Sequence, residues 1–262
     1  MRNRAGMLAR RRIFARRRRT WQSGAMALED VYKKIGFPGD MAGSVAPAAG
    51  NAAPAAVGAA GSAGSVAPAA VLWDMDGTLV DSEEEWARVS GNVVRSHGGI
   101  WTDEDVLAIR GADTIAHGRR MMAAVRRGGG EVDPWKMFAE VLRAMADHMA
   151  DAELIDGAAE LLDAFSAAGI PQALVTATPG RPVEIFLAGP GSRLEAAVTG
   201  DDDVPGKPNP APYLLGAQRL GVPIESCLAF EDSGPGLAAA RNAGAFTVDV
   251  GEFPLAELAA LL

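Results

Sequence analysis

The chain has 262 residues, 48% of them hydrophobic, and a formal net charge of −8. That is enough apolar material for a sizeable core in one large domain or two small ones. Nine arginines and no acids fall within residues 1–19, so the remainder is strongly acidic, which argues against a nucleic-acid-binding core.

The lone Cys227 lies in an apolar run and reads as a buried thiol, with no internal disulfide to form. No apolar stretch reaches the roughly 18 residues that span a bilayer. His97, His117 and His148 have no metal-ligand spacing, so a zinc centre is not expected. Residues 1–20 form an Arg-rich tail. A transit peptide, a nucleic-acid or membrane-surface contact, and translation starting at Met26 or Met41 remain open readings of it. Residues 21–69 read as a disordered linker. From 42 onward they are almost entirely Ala, Gly, Pro, Ser and Val, with GSVAPAA at both Gly43–Ala49 and Gly64–Ala70. Such side chains bury too little surface to offset chain entropy. The first 65 or so residues are therefore expected to be dispensable for folding and catalysis.

Val71-Leu72-Trp73 reads as a buried parallel strand leading into Asp74-Met75-Asp76-Gly77-Thr78. Carboxylates two residues apart on a strand point to the same side, and strand carboxyl ends are where open α/β sheets bind ligands. Ser82 is placed to N-cap a helix running from Glu83 to about His97. Helices are predicted from Thr102, over 113–126 and over 134–150, with no strand between 83 and 150. Arg119, Arg120, Arg126 and Arg127 read as solvated. From about 157 helices and strands alternate: helix 157–168, strand 172–175, helix 181–188, strand 196–198, helix 211–220, strand 227–230, helix 234–243 and strand 245–250. Alternation of this kind means βαβ units and a parallel sheet. The expected fold is α/β: a Rossmann-like parallel-sheet core from 70–82 and 151–262, with an α-helical cap inserted at 83–150.

Four stations fall at strand carboxyl ends: Asp74/Asp76, Thr176, Gly206-Lys207-Pro208 and Glu231-Asp232-Ser233. Each alone could be a turn residue or a solvated charge. Together they suit phosphate chemistry. Grouped carboxylates suit Mg²⁺, one aspartate can attack phosphorus, and a second acid can move the proton. A hydroxyl, backbone N–H groups and a lysine can hold the remaining oxygens.

WDMDGTLVDSE, LVTATP, GKPNPAPYLLGAQRLGV and FEDSGPGLAAARNAG resemble the four ordered motifs of the haloacid dehalogenase-like hydrolase superfamily. The helical insert resembles the cap of the subgroup holding β-phosphoglucomutase, phosphoglycolate phosphatase and sugar-phosphate phosphatases. The resemblance implies Asp74 as nucleophile and Asp76 as acid/base. It implies Thr176, the Ala177 amide and Lys207 as phosphate ligands. It also implies Mg²⁺ held by Asp74, the Asp76 main-chain carbonyl and Asp232, with Glu231 in or beside the shell. Arg110, between two cap helices, is where relatives reach a substrate phosphate or hydroxyl. The chain departs from the family pattern at Ala177, at Ala211, at Asp156-Gly157 and in an apparently missing last strand. Trp86 stands where the mutase carries a histidine; simple cap packing is the plainer reading of it.

The function expected is a Mg²⁺-dependent phosphatase that hydrolyses a small phosphate monoester, a sugar or polyol phosphate, through an aspartyl-phosphate. A β-phosphoglucomutase-type mutase and a catalytically silent binding protein of the same fold are the alternatives. The expected partner is a small phosphorylated metabolite, with no nucleic acid on the folded core and no membrane. The protein is expected to be a cytoplasmic monomer.

Overall fold

A computed structural model describes residues 27–38, 67–110, 112 and 114–262. The Arg-rich tail and most of the Ala/Gly/Pro-rich segment lie outside the described residues. The core is a five-stranded parallel sheet of β1 (Ala70–Trp73), β2 (Gln172–Val175), β3 (Ala196–Val198), β4 (Cys227–Glu231) and β5 (Phe246–Asp249), in the order β3-β2-β1-β4-β5. β1 is central, with Trp73 opposite both Leu174 and Phe230. It is buried on both faces because its residues alternate between two clusters. Val71 and Trp73 pack with Phe165 and Phe230 on one side; Ala70 and Leu72 pack with Tyr213 and Cys227 on the other. Trp73 stacks on Phe230 at 4.3 Å between ring centroids, and its indole N–H donates to Gln172 Oε1.

Helices α2 (Glu83–Ser96), α3 (Asp103–Ile109), α4 (Thr114–Arg127) and α5 (Pro134–Ala150) lie between β1 and β2 in the chain. Thr102 caps α3 through a reciprocal pair with Asp105. Ser82 occupies the N-cap position of α2 but caps nothing; its hydroxyl goes to Asp76 instead. Arg120 and Arg127 are not simply solvated. Both donate to the fully buried carboxylate of Asp105, fastening α3 to α4 and holding that carboxyl well below its usual range. The core continues through α6 (Ala158–Ala167), α7 (Arg181–Ala188), α8 (Ala211–Leu220) and α9 (Gly234–Ala243), and ends in α10 (Leu255–Ala259). α5 packs along α7, which seats the helical insert against the core. After β5 the described chain continues into α10.

The reading of 21–69 as structureless fails over 27–38. Helix α1 (Glu29–Ile35) forms there, and Leu28, Val31, Tyr32, Ile35 and Phe37 are buried in the main core cluster. The helix packs on α10, and Phe37 meets the edge-strand residue Phe246 with ring centroids 5.2 Å apart. The physical reason is visible in the sequence: Leu28, Val31, Tyr32 and Ile35 fall at i, i+3, i+4 and i+7, an apolar stripe on one helical face. Glu29 and Asp30 occupy the first turn, Lys33 and Lys34 the last, and Gly36 closes the helix with φ +71°.

Candidate active site

The carboxyl end of the sheet gathers the four stations. Asp74 follows β1 and is nearly buried; its N–H donates to Phe230 O across the parallel ladder. Lys207, from the loop before α8, places Nζ 2.6 Å from Asp74 Oδ1 and 2.5 Å from Glu231 Oε1. Burial alone would lower the Lys207 pKa, but Asp74 and Glu231 hold the ammonium above its usual value. Burial, reinforced by Glu231, Asp232 and Asp76 and opposed by Lys207, pushes Asp74 well above the usual carboxylate range. Asp232 is likewise pushed up to about 6, chiefly by burial and then by Glu231. One ammonium faces this group of acids. The excess negative charge is what a divalent cation would relieve.

The donor set fits such a cation. Oxygens of Asp74, Glu231 and Asp232 lie within 4.8 Å of one another, the hard-ligand chemistry that suits Mg²⁺. The Asp76 carboxylate is not in that group. Gly77 allows the close approach: its φ is +87°, and a Cβ there would lie 2.3 Å from Asp232 Oδ2. Thr78 donates to Asp232 Oδ1 at 3.1 Å.

Asp76 is held apart from the acid cluster by donors on both oxygens. Oδ1 accepts from Ser82 Oγ and from Trp86 Nε1 at 2.8 Å; Oδ2 accepts from Thr178 Oγ1 at 2.6 Å and Thr176 Oγ1 at 3.4 Å. Thr176 is buried at the end of β2, and its Oγ1 also accepts from Thr178 N–H. The Ala177 carbonyl accepts from Thr114 Oγ1 of the cap at 3.3 Å. Asp74, Asp76, Thr114, Thr176, Ala177, Thr178 and Lys207 line a cleft beneath the cap, whose other walls include Glu83, Trp86, Ile109, Arg110, His117 and Phe138. Arg110 reaches the cleft, but its Nε pairs with Glu83 Oε2 at 3.2 Å. Burial raises the Glu83 pKa against the pull of Arg110.

Glu231 is fully buried. Oε1 takes Lys207 and the Tyr213 hydroxyl, and Oε2 takes the N–H groups of Asp232 and Ser233 and the Ser233 hydroxyl. Tyr213 was not singled out from the sequence, nor were Thr178 and His117. The Lys207 ammonium lies 5.2 Å from the Tyr213 ring centroid. Trp86 does more than pack, since its indole N–H touches Asp76. Its position ten residues after that aspartate, on the first turn of α2, was the available signal. Tyr213 offered only its place six residues after Lys207.

This chemistry agrees with the comparisons. The family model of the haloacid dehalogenase-like hydrolases matches residues 68–244, and the chain belongs to that family. Hexitol phosphatase A of Escherichia coli is 36% identical over 182 residues, covering 68% of this chain and 81% of the relative. Protein CbbY of Rhodobacter capsulatus is 31% identical over 188 residues, covering 67% and 82%. Among solved structures, CbbY from Rhodobacter sphaeroides in complex with xylulose-(1,5)-bisphosphate superposes with a TM-score of 0.61 at 26% identity, over 69% of this chain and 84% of that one.

Proposed function

We propose that the protein is a Mg²⁺-dependent phosphatase that hydrolyses a small sugar or polyol phosphate through an aspartyl-phosphate on Asp74. The observation that carries this reading is the division of labour between two carboxylates in one cleft: Asp74 against Lys207 and the acid cluster, Asp76 in a separate cradle of four donors. Several relatives are named as phosphatases of small phosphorylated compounds, among them the fructose-1-phosphate phosphatase YqaB of Escherichia coli.

Asp74, Asp232 and Glu231 would hold the cation, with the Asp76 main-chain carbonyl as the resemblance implies. Bound Mg²⁺ supplies positive charge that offsets the carboxylates and polarises the phosphoryl oxygens. An Asp74 oxygen attacks phosphorus, the bond to the ester oxygen breaks, and Asp76 delivers a proton to that oxygen. A water then attacks the phosphorus, Asp76 takes its proton, and the Asp74–phosphorus bond breaks to release inorganic phosphate. Lys207, Thr176 and the Ala177 N–H bind the oxygens that carry charge in both steps. The cap excludes bulk water, which strengthens these interactions.

The test is phosphate release from a panel of phosphorylated metabolites with Mg²⁺ and with EDTA. Asp74→Asn is expected to abolish turnover with the fold intact, and Asp76→Asn to cost about 10²–10⁴-fold. Parent-like turnover in Asp74→Asn would rule the mechanism out. Hexose 1-phosphates assayed with and without the matching bisphosphate separate hydrolysis from isomerisation. Bisphosphate-dependent isomer formation with little free phosphate would favour the mutase.

A further inference from the structure

His117 is the cleft-lining residue that the proposed chemistry leaves without a task. It sits on α4, is 7% exposed and lines the cleft. The rings of Trp86 and Phe138 pack edge-on against it, at 5.8 and 6.2 Å between centroids, so its orientation is fixed. Nε2 pairs with Ser90 Oγ of α2 at 2.9 Å. Nδ1 has no hydrogen-bond partner among the described residues.

We infer that His117 is a specificity-determining residue whose Nδ1 bonds a hydroxyl on the body of the substrate, and that this body carries a single phosphate. The inference rests on the phosphatase reading and adds the substrate's chemical character to it. If Ser90 donates to Nε2, Nδ1 carries the proton and is a donor; if Ser90 accepts, Nδ1 is an acceptor. A hydroxyl satisfies either arrangement, whereas an ionised phosphate can only accept. Burial draws the imidazole pKa down to about 4, so the ring is neutral near pH 7 and offers no charge to a second phosphate. Arg110, a cap-side cation lining the cleft, is paired with Glu83. A polar atom that a closed site leaves unpaired penalises a ligand that cannot meet it, which is how a site selects hydroxylated substrates.

The experiment compares the parent, His117→Phe and Ser90→Ala on sorbitol 6-phosphate, fructose 1-phosphate and p-nitrophenyl phosphate, whose aryl group has no hydroxyl. Phe keeps a planar ring between Trp86 and Phe138; Ser90→Ala frees the imidazole while keeping it. The expected result is a loss in kcat/KM of about tenfold or more on the sugar phosphates in His117→Phe, a smaller loss in Ser90→Ala, and p-nitrophenyl phosphate turnover within about twofold of the parent in both. Equal losses on all three compounds would reduce His117 to a packing residue and overturn the inference. So would unchanged turnover on all three, or a parent that hydrolyses only p-nitrophenyl phosphate. A parent that hydrolyses none of them with Mg²⁺ would sink the phosphatase reading itself, and this inference with it.

Discussion

Asp74 and Asp76 are two residues apart, yet their surroundings differ in kind. Asp74 faces an ammonium and two further acids, whereas Asp76 faces only uncharged donors drawn from the cap and from the loop after β2. Trp86 is the cap's contribution to that cradle, alongside Ser82, the residue just before α2. Trp86→Phe keeps the ring and deletes the N–H, leaving Asp76 Oδ1 with one donor fewer. A hydrogen bond to a charged group contributes about 1.5–3 kcal/mol, so kcat is expected to fall about tenfold or more with KM changed little. Steady-state kinetics on a hydrolysed phosphate would show it, and a kcat equal to the parent's would mean that the contact does not position Asp76. That Asp74, Thr176 and Asp232 share one end of the sheet was legible in the sequence, because each directly follows a strand. The places of Tyr213, Thr178 and His117 were not, since they reach the site through a helix face or a loop whose orientation only the packed structure sets.

The elements from 70 onward follow their sequence patterns closely. Short apolar strands and helices with one apolar face leave little choice of period, and β2, β3, α5, α7, α8 and α9 begin and end where the pattern places them. Besides the five-residue α10, α1 is the helix that the sequence pattern did not supply. It spans 7 residues between an Arg-rich tail and an Ala/Gly/Pro-rich run, and composition outweighed its i, i+3, i+4, i+7 stripe. Its consequence is structural: it covers α10, and Phe37 just after it meets Phe246 at the β5 edge. A chain beginning at Gly64 is therefore expected to melt below one beginning at Met26. Uncovering one or two large apolar side chains costs roughly 2 kcal/mol or more, or about 4–8 °C in a protein of this size. Thermal unfolding of the two chains checks this; coincident midpoints would show that α1 contributes nothing to stability.

Across the whole molecule, the sheet brings acids from two strand ends to one point and the cap closes the cleft above them. With the proposed cation, the acid cluster would make stability depend on pH and on that cation together. Asp232 has a folded-state pKa of about 6, above the usual 3.8 for an aspartate, so the metal-free folded state holds its proton more tightly than the unfolded chain. The contribution of Asp232 to stability is present at low pH and is lost as pH rises from about 4 through 6. A proton on Asp232 also competes with a cation. The rise in Tm on adding Mg²⁺ is therefore expected to be small at pH 5 and larger at pH 7.5. Differential scanning fluorimetry at the two pH values would decide it, and an equal Mg²⁺ shift at both would exclude Asp232 as a titrating ligand.

The central claim is that Asp74 carries the phosphoryl group. Asp76→Asn retains the nucleophile but lacks both the acid of the first step and the base of the second. With p-nitrophenyl phosphate, whose leaving group departs without a proton, only the second step is blocked and the covalent species should accumulate during a single turnover. Acid quenching, borohydride reduction and peptide mass spectrometry would locate an acyl phosphate as homoserine at its position. The account predicts homoserine at position 74, dependent on Mg²⁺ and absent when Asp74 is also replaced by Asn. Phosphate release by the parent enzyme with no modification at position 74, or with the label on another carboxylate, would contradict it.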